Sequence, residues 1–400
     1  MNKRVEMWFD LSCPYAYLGS TQIEALVDRV GAELDARPML LGGVFKAHAV
    51  PQKLFSVLSP AKARHNALDL VRWSERFGVP YAMPDGHPFR TVDALRAMLA
   101  IGPPFMPLAH AFFRAYWVEG RDIGDKSVIA SVLAAAGHDA ARVIAEAETP
   151  RIKDELRART DQAIAKGVFG APTFFVDDQP FWGQDRLGDV EAALGGSTPP
   201  LTSALATGAA TSFYFDLSCP YVTLALPRVV AAFPRVVFKP VALDDLLIRQ
   251  YPPHGELPAT SVAKRAYMER DLARRAPDLL LDRTWPLAST RTALGFCALV
   301  TSEHADRAGA VIEALARETW VLGRDPDDPS VLMPLARTHG IEPLVLRAAA
   351  GEGEPHLDAN LADAEAADVF GVPTVVTGRT QSVFFGADRV ELAIDHARST

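Results

Sequence analysis

The chain has 400 residues, of which 49% are hydrophobic and 22% charged, and its net charge is −8. A negative balance of this size disfavours a nucleic-acid surface, and no apolar run approaches the ~18 residues of a membrane span. Glu6 and Asp10 interrupt what would be the core of a signal peptide, so we expect a cytoplasmic protein. Three cysteines are too few for a disulfide framework in so long a chain, and we expect reduced thiols.

The chain contains two copies of one sequence. The segment Phe9–Tyr15 recurs without change as Phe215–Tyr221, and Val168–Thr173 matches Val369–Thr374 in the same order. Because such agreement in register is very improbable by chance, the chain is a fused tandem duplication. The length allows two or three domains, and the repeat favours two, each large enough for its own hydrophobic core.

These observations predict a first domain over residues 1–196, a linker over 197–210 and a second domain over 211–400. The linker is rich in Ala, Thr, Ser and Pro, a composition that favours a connection over a packed element.

The first domain is predicted to open with a β-α-β unit. Val5–Phe9 is a short apolar strand, and Pro14 suits the first turn of a helix that Gly31 ends. Leu34–Leu41 is the second strand. Two strands joined through a helix run parallel, with a right-handed crossover.

Helical patterns fill the middle of the first domain, over about residues 60–166. A hairpin then follows over Thr173–Val176 and Gln179–Trp182, and the domain closes with a helix over Leu187–Leu194. The order of elements predicts a small mixed sheet with an inserted helical subdomain.

The second domain repeats this plan with more divergence. Strands are predicted over Phe213–Phe215 and Val236–Leu243, helices over about residues 258–368, and a hairpin over Thr374–Val376 and Ser382–Phe385. The predicted fold class is therefore α/β, with two similar domains in one chain.

Cys13 is the first candidate for chemistry. It lies at a strand-to-helix turn, where the free N–H groups of the helix N-terminus favour a thiolate and lower the thiol pKa. A lone cysteine is more often buried and inert, but Cys219 repeats the residue in an identical context. Ala16 and Val222 stand where a second redox cysteine would lie, so each half is monothiol. Cys297 has no counterpart in the first half and is predicted to belong to the core.

The second candidate is a proline at the entrance of the hairpin. Pro172 directly precedes a short β run after a helix, a position typical of a cis peptide bond. A trans turn proline is the alternative. A thiol at a helix N-terminus followed by such a strand entrance is the arrangement of thioredoxin-like folds. The histidines lack metal-ligand spacing, and no metal site is expected.

The motifs around these residues resemble a known family. Four segments of the first half are similar to the 2-hydroxychromene-2-carboxylate isomerases, which belong with kappa-class glutathione transferases in the DsbA-like branch of thioredoxin folds: Asp10–Gly19, Gly42–Ala47, Phe169–Phe174 and Phe181–Leu187. The resemblance covers residues 4–195, and it is weaker over 211–396.

The resemblance implies a glutathione site in each half. Cys13 and Cys219 stand where the family usually has a serine that supports the glutathione thiolate. Lys46 matches a family lysine that contacts the substrate carboxylate, and the second half has no evident counterpart of the segment that carries it. The residues implied in glutathione binding are Ala171, Pro172, Gln184 and Asp185 in the first half and Val372, Pro373 and Asp388 in the second.

The resemblance also implies an activity, with alternatives. The leading hypothesis is a glutathione-dependent isomerase or transferase that acts on a small conjugated or aromatic acid. One alternative is a monothiol, glutathione-linked oxidoreductase in which Cys13 itself attacks a disulfide. Another is that the second half is a non-catalytic partner, so that the fusion supplies a pseudo-dimer within one chain.

Overall fold

The computed structural model describes residues 3–51, 57–197, 205–206, 209–250, 260–281 and 289–399. The chain divides into two compact units. Unit 1 comprises Met1–Val57, Ala67–Pro200 and Pro258–Tyr267, and unit 2 comprises Leu58–Asn66, Leu201–Leu257 and Met268–Thr400. Most of the predicted linker and the predicted start of the second helical block, near residue 258, lie outside the described residues.

The first repeat is built on a four-stranded mixed sheet with the order β2-β1-β3-β4. Its strands are β1 (Arg4–Phe9), β2 (Glu33–Pro38), β3 (Thr173–Val176) and β4 (Gln179–Trp182). β1 and β2 are parallel, as the crossover predicts, whereas β3 runs antiparallel to both β1 and β4. β3 lies inside the sheet and all of its residues are buried, which accounts for the three successive apolar residues that follow Thr173.

Nine helices of the first repeat lie in the described residues. They are α1 (Pro14–Val30), α2 (Leu41–Ala47), α3 (Pro60–Phe77), α4 (Val92–Ile101), α5 (Met106–Trp117), α6 (Lys126–Ala135), α7 (Ala140–Ala147), α8 (Pro150–Ala165) and α9 (Leu187–Ala193). α1 begins directly after Cys13, with a proline in its first turn, and ends at Gly31 with φ +63°. Both helix signals in the sequence are therefore confirmed.

The second repeat has the same sheet in the order β6-β5-β7-β8. Its strands are β5 (Thr211–Phe215), β6 (Val237–Pro240), β7 (Thr374–Thr377) and β8 (Ser382–Phe385). Its described helices are α10 (Pro220–Ala232), α11 (Leu243–Gln250), α12 (Val262–Arg275), α13 (Arg291–Glu303), α14 (Ala305–Trp320), α15 (Pro329–Thr338), α16 (Pro343–Ala349), α17 (Glu354–Ala366) and α18 (Val390–Ser399).

The predicted fold class is confirmed, and the differences from it are local. β2 ends at Pro38 rather than at residue 41, because the chain there turns into α2. The sequence did not predict α7, and β6 is shorter than the predicted strand, because α11 begins at Leu243. Among the described residues, no helix is long and apolar enough to cross a bilayer.

Candidate active site

The thiol of Cys13 lies against the entrance of β3. Its Sγ donates a hydrogen bond to the carbonyl oxygen of Ala171, at 2.9 Å. The peptide bond between Ala171 and Pro172 is cis, as predicted. The strand-to-helix turn and the hairpin entrance, which are far apart in the sequence, therefore meet at the sulfur.

The prediction that the helix N-terminus lowers the pKa of Cys13 below its ordinary value is wrong. Cys13 is only 7% exposed, and burial raises the pKa of its thiol to about 12, with a further contribution from the charge of Asp10. Backbone N–H groups of Ala16 and Tyr15 lower the pKa, as the helix N-terminus was expected to do, but burial outweighs them. The group is a protonated hydrogen-bond donor.

Asp10 organises the turn that carries the thiol. This buried carboxylate accepts hydrogen bonds from the backbone N–H of Ser12 at 2.9 Å and from the backbone N–H of Leu41 at 2.7 Å. Burial raises its pKa, and the hydrogen bonds that it accepts oppose the rise. One side chain thus joins the Cys13 turn to the start of α2. The sequence contained a signal for this role, since an acidic residue ends an apolar strand in both repeats.

Trp117 supports the same turn from the helical subdomain. Its indole Nε1 donates to the carbonyl oxygen of Leu11 at 2.9 Å, and the side chain is fully buried. The second repeat reproduces the contact, because Trp320 Nε1 donates to the carbonyl oxygen of Leu217 at 2.8 Å. Both tryptophans are core residues with a positioning role.

The turn after β4 completes the arrangement. The N–H of Gly183 donates to the carbonyl oxygen of Pro172 at 3.0 Å. Gly183 has φ +108°, and a Cβ there would lie 2.4 Å from Asp185 Oδ1, so only glycine fits this position. Gln184 and Pro172 both pack against Gly19 of α1, since a Cβ there would lie 3.6 Å from Gln184 Cβ and 3.4 Å from Pro172 Cγ.

The structure therefore gathers the glutathione-binding candidates of unit 1. Cys13 is bonded to Ala171, the residue before Pro172, and the turn with Gln184 and Asp185 is bonded to Pro172 through Gly183. Asp185 Oδ1 lies 3.3 Å from Nη1 of Arg186. Gln184 is 3% exposed, and its side-chain Nε2 has no hydrogen-bond partner in the described part of the chain.

Lys46 occupies a different environment. It lies in the last turn of α2 and is exposed. Within the described ranges its side chain makes no hydrogen bond or ion pair, and no contact joins it to Cys13. Its connection to the site is indirect, through the bond between Asp10 and the first residue of α2.

Unit 2 keeps the scaffold of the site. Cys219 Sγ donates to the carbonyl oxygen of Val372 at 3.5 Å, the Val372–Pro373 bond is cis, and the N–H of Gly386 donates to the Pro373 carbonyl oxygen at 2.8 Å. Burial raises the Cys219 pKa to about 12, with a contribution from the charge of Asp216.

The groups expected to meet a ligand differ in unit 2. Ala387 stands where the first repeat has Gln184. Asp216 accepts from the backbone N–H of Leu243 at 2.7 Å, as Asp10 does from Leu41, and this shared bond aligns α11 with α2. The alignment puts Ile248, which is 69% exposed, at the position of Lys46.

Asp388 of unit 2 pairs with an arginine of α12, whereas Asp185 of unit 1 pairs with the adjacent Arg186. Nη1 of Arg275 donates to Asp388 Oδ1 at 2.5 Å and lies 3.7 Å from the buried carboxylate of Asp271. Ser59 and Ser261 cap α3 and α12 in the same way, each accepting at 3.3 Å from an N–H three residues on. This alignment places Trp73 of the first repeat at the position that Arg275 occupies in the second.

The remaining candidates lie outside the site. Cys297 is fully buried in α13 and is a core residue, as predicted. Among the described residues, no group of three or more His, Cys, Asp or Glu side chains is arranged to hold a metal ion.

Comparison with known proteins agrees with this geometry in both halves. The model of the DsbA-like thioredoxin domain matches residues 4–195 and again residues 211–396. The chain belongs to the DsbA-like thioredoxin family. The double match confirms the tandem duplication, so that this family member carries two such domains.

Each of the individual relatives aligns with about half of this DsbA-like chain, which is the length of one domain. A 2-hydroxychromene-2-carboxylate isomerase of Sphingobium xenophagum is 31% identical, over 48% of this chain and 99% of its own. The enzyme of the same name from Pseudomonas putida is 26% identical, over 48% of this chain and 94% of its own. Glutathione S-transferase kappa 1 of Rattus norvegicus is 26% identical, over 50% of this chain and 96% of its own. The relatives are enzymes, and the DsbA-like chain is an enzyme of the same family.

Proposed function

We propose that unit 1 is a glutathione-dependent isomerase or transferase that acts on a small conjugated or aromatic acid. The observation that carries the proposal is the Cys13 thiol, which is held as a hydrogen-bond donor against the cis-proline strand entrance. The names of the relatives support the substrate class and the use of glutathione.

One observation in particular supports a glutathione site in unit 1. The buried Nε2 of Gln184 has no hydrogen-bond partner among the described residues, and leaving such a donor unpaired costs about 1–3 kcal/mol. A carboxylate of glutathione would satisfy it. The neighbouring Asp185 carboxylate suits the γ-glutamyl ammonium group, and the backbone of Ala171 suits the cysteinyl part.

When bound, glutathione supplies a thiolate nucleophile. Cys13 keeps its proton on Sγ, because burial raises its pKa to about 12, and donates a hydrogen bond towards the ligand sulfur. A charge-assisted bond of this kind is stronger than the neutral bond that it replaces. Lys46 provides a cation for the substrate carboxylate.

The test is a pair of substitutions at one position. Cys13→Ser retains a hydroxyl donor, and we expect glutathione-dependent conversion of 2-hydroxychromene-2-carboxylate to persist. Cys13→Ala removes the donor and should slow conversion about 100–1000-fold, the range found when one donor to a reacting anion is lost. Loss of activity in the serine variant would contradict the supporting role.

The same pair tests the oxidoreductase alternative. In that mechanism Cys13 attacks a disulfide as a thiolate, and the raised pKa disfavours it. After treatment with oxidised glutathione, mass spectrometry should find no stable adduct on Cys13. A stoichiometric adduct that the serine variant cannot form would support redox chemistry instead.

We further propose that unit 2 does not bind glutathione. Ala387 replaces the Gln184 amide there, and Arg275 pairs with the Asp388 carboxylate at 2.5 Å. Calorimetry should therefore find one glutathione per chain. Asp185→Asn should weaken this binding, whereas Asp388→Asn should leave it unchanged. Two equal sites would contradict the proposal.

The second unit would then serve as the partner of the first in a pseudo-dimer. The retained scaffold of unit 2 supports this role, because Asp216 and Trp320 make the same bonds as Asp10 and Trp117. We expect the full chain to be monomeric in light scattering while a chain cut at the linker loses activity. Full activity of residues 1–196 alone would refute this role.

A further inference from the structure

Tyr81 packs against Trp117, the residue that supports the Cys13 turn of unit 1. Its ring stacks on Trp117, with 6.0 Å between centroids and 23° between planes. The N–H of Ala82 donates to the Trp117 carbonyl oxygen at 2.8 Å. Because the Trp117 indole is itself bonded to Leu11, the position of Tyr81 is tied to the loop that precedes Cys13.

The hydroxyl of Tyr81 is available to a ligand. Among the described residues its one hydrogen-bond contact is Met83 Sδ, at 4.0 Å, and a thioether is a weak acceptor. Burial raises the pKa of Tyr81, so the phenol stays protonated. The ring stack on Trp117 and the Ala82 bond hold it next to the helix end whose indole supports the Cys13 turn.

The described part of the second repeat has an apolar residue at the position of this donor. The N–H of Leu280 donates to the Trp320 carbonyl oxygen at 2.7 Å, which is the bond that Ala82 makes to Trp117. This match places Leu279 at the position of Tyr81. Leu279 is 8% exposed and packs in an apolar cluster with Trp320 and Leu272.

We propose that the Tyr81 hydroxyl donates a hydrogen bond to the carbonyl oxygen of the conjugated acid, and that it is thus a substrate-binding residue of unit 1 alone. The inference rests on the proposed function and adds a specific requirement to it. The acid must carry an oxygen acceptor near the carbon that bonds to sulfur. Lys46 would contact the carboxylate, and Tyr81 would contact the carbonyl oxygen.

The test uses binding rather than turnover. Calorimetry is carried out on the full chain with glutathione, with S-phenacylglutathione and with S-(2-phenylethyl)glutathione, which lacks the ketone of the phenacyl adduct. Tyr81→Phe should weaken binding of the phenacyl adduct about three- to tenfold, as expected for one lost hydrogen bond. Binding of the other two ligands should not change, because neither offers the oxygen.

Tyr214→Phe is the matched control. Its hydroxyl bonds to Asp363 in unit 2, so its loss should alter none of the three affinities. Unchanged binding of the phenacyl adduct to Tyr81→Phe would overturn the inference alone, as would an equal loss for all three ligands. If the unsubstituted protein binds none of them, the proposed function fails, and the inference fails with it.

Discussion

Cys13 is expected to react slowly with alkylating reagents at neutral pH. Burial raises its pKa from an ordinary 9.0 to about 12. Since only the thiolate attacks, and each pH unit is a factor of ten, the reactive fraction at pH 7 is about a thousandfold below that of the unfolded chain. The hydrogen bond from Sγ to the Ala171 carbonyl oxygen also keeps the proton in place.

The assay is a timed reaction with iodoacetamide, followed by peptide mass spectrometry of the native and the denatured protein. The labelling rate at Cys13 should rise about tenfold per unit from pH 7 to pH 10, without a plateau. Cys297, with a pKa of about 12 and no exposed surface, is the internal control for restricted access. A plateau at Cys13 below about pH 8 would mean a thiolate at neutral pH, and it would refute both the burial argument and the donor role.

Three further outcomes follow from individual contacts. Gly183→Ala and Gly386→Ala should each lower the free energy of unfolding by about 1–3 kcal/mol, since both have positive φ. Only Gly183→Ala should weaken glutathione binding, because its Cβ would meet Asp185. Equal losses of glutathione affinity in calorimetry would contradict this. Asp10→Asn leaves one acceptor oxygen for two backbone N–H donors and should cost about 1–3 kcal/mol in denaturant melts, whereas an unchanged midpoint would refute the assignment. Burial raises the Cys297 pKa to about 12, so the contribution of the neutral thiol to stability is present below its ordinary pKa of 9.0 and is lost as the pH rises. Cys297→Ala should therefore reduce the loss of stability between pH 8 and 10 by about 1.4 kcal/mol. An unchanged dependence of unfolding free energy on pH would count against this prediction.

Local signals were sufficient for much of the fold. The bounds of β3 and β4 agree with the predicted hairpin, because an apolar run, a turn of two aspartates and an alternating strand lie within a few residues. The cis bond at Pro172 was also predicted, since the duplicated motif gave weight to a proline at a strand entrance.

The features that sequence missed depend on partners far along the chain. α2 begins at Leu41 because the Asp10 carboxylate accepts its N–H, a cap that no neighbouring residue supplies. The prediction of a thiolate at Cys13 was wrong for a similar reason. The helix N-terminus is local and favours the thiolate, whereas the burial that outweighs it comes from the packing of the whole domain.

The two repeats diverge in a pattern that separates scaffold from ligand groups. Asp216 and Trp320 make the same bonds as their first-repeat counterparts, so the framework around the second thiol is retained. Three proposed ligand groups of the first repeat, Lys46, Tyr81 and Gln184, are replaced there by the apolar side chains Ile248, Leu279 and Ala387, whereas Cys219 and Asp388 are kept. If the second repeat no longer needed a stable fold, its buried framework residues would have changed as readily as these three positions. These replacements support our proposal that the second repeat is mainly a structural partner of the first.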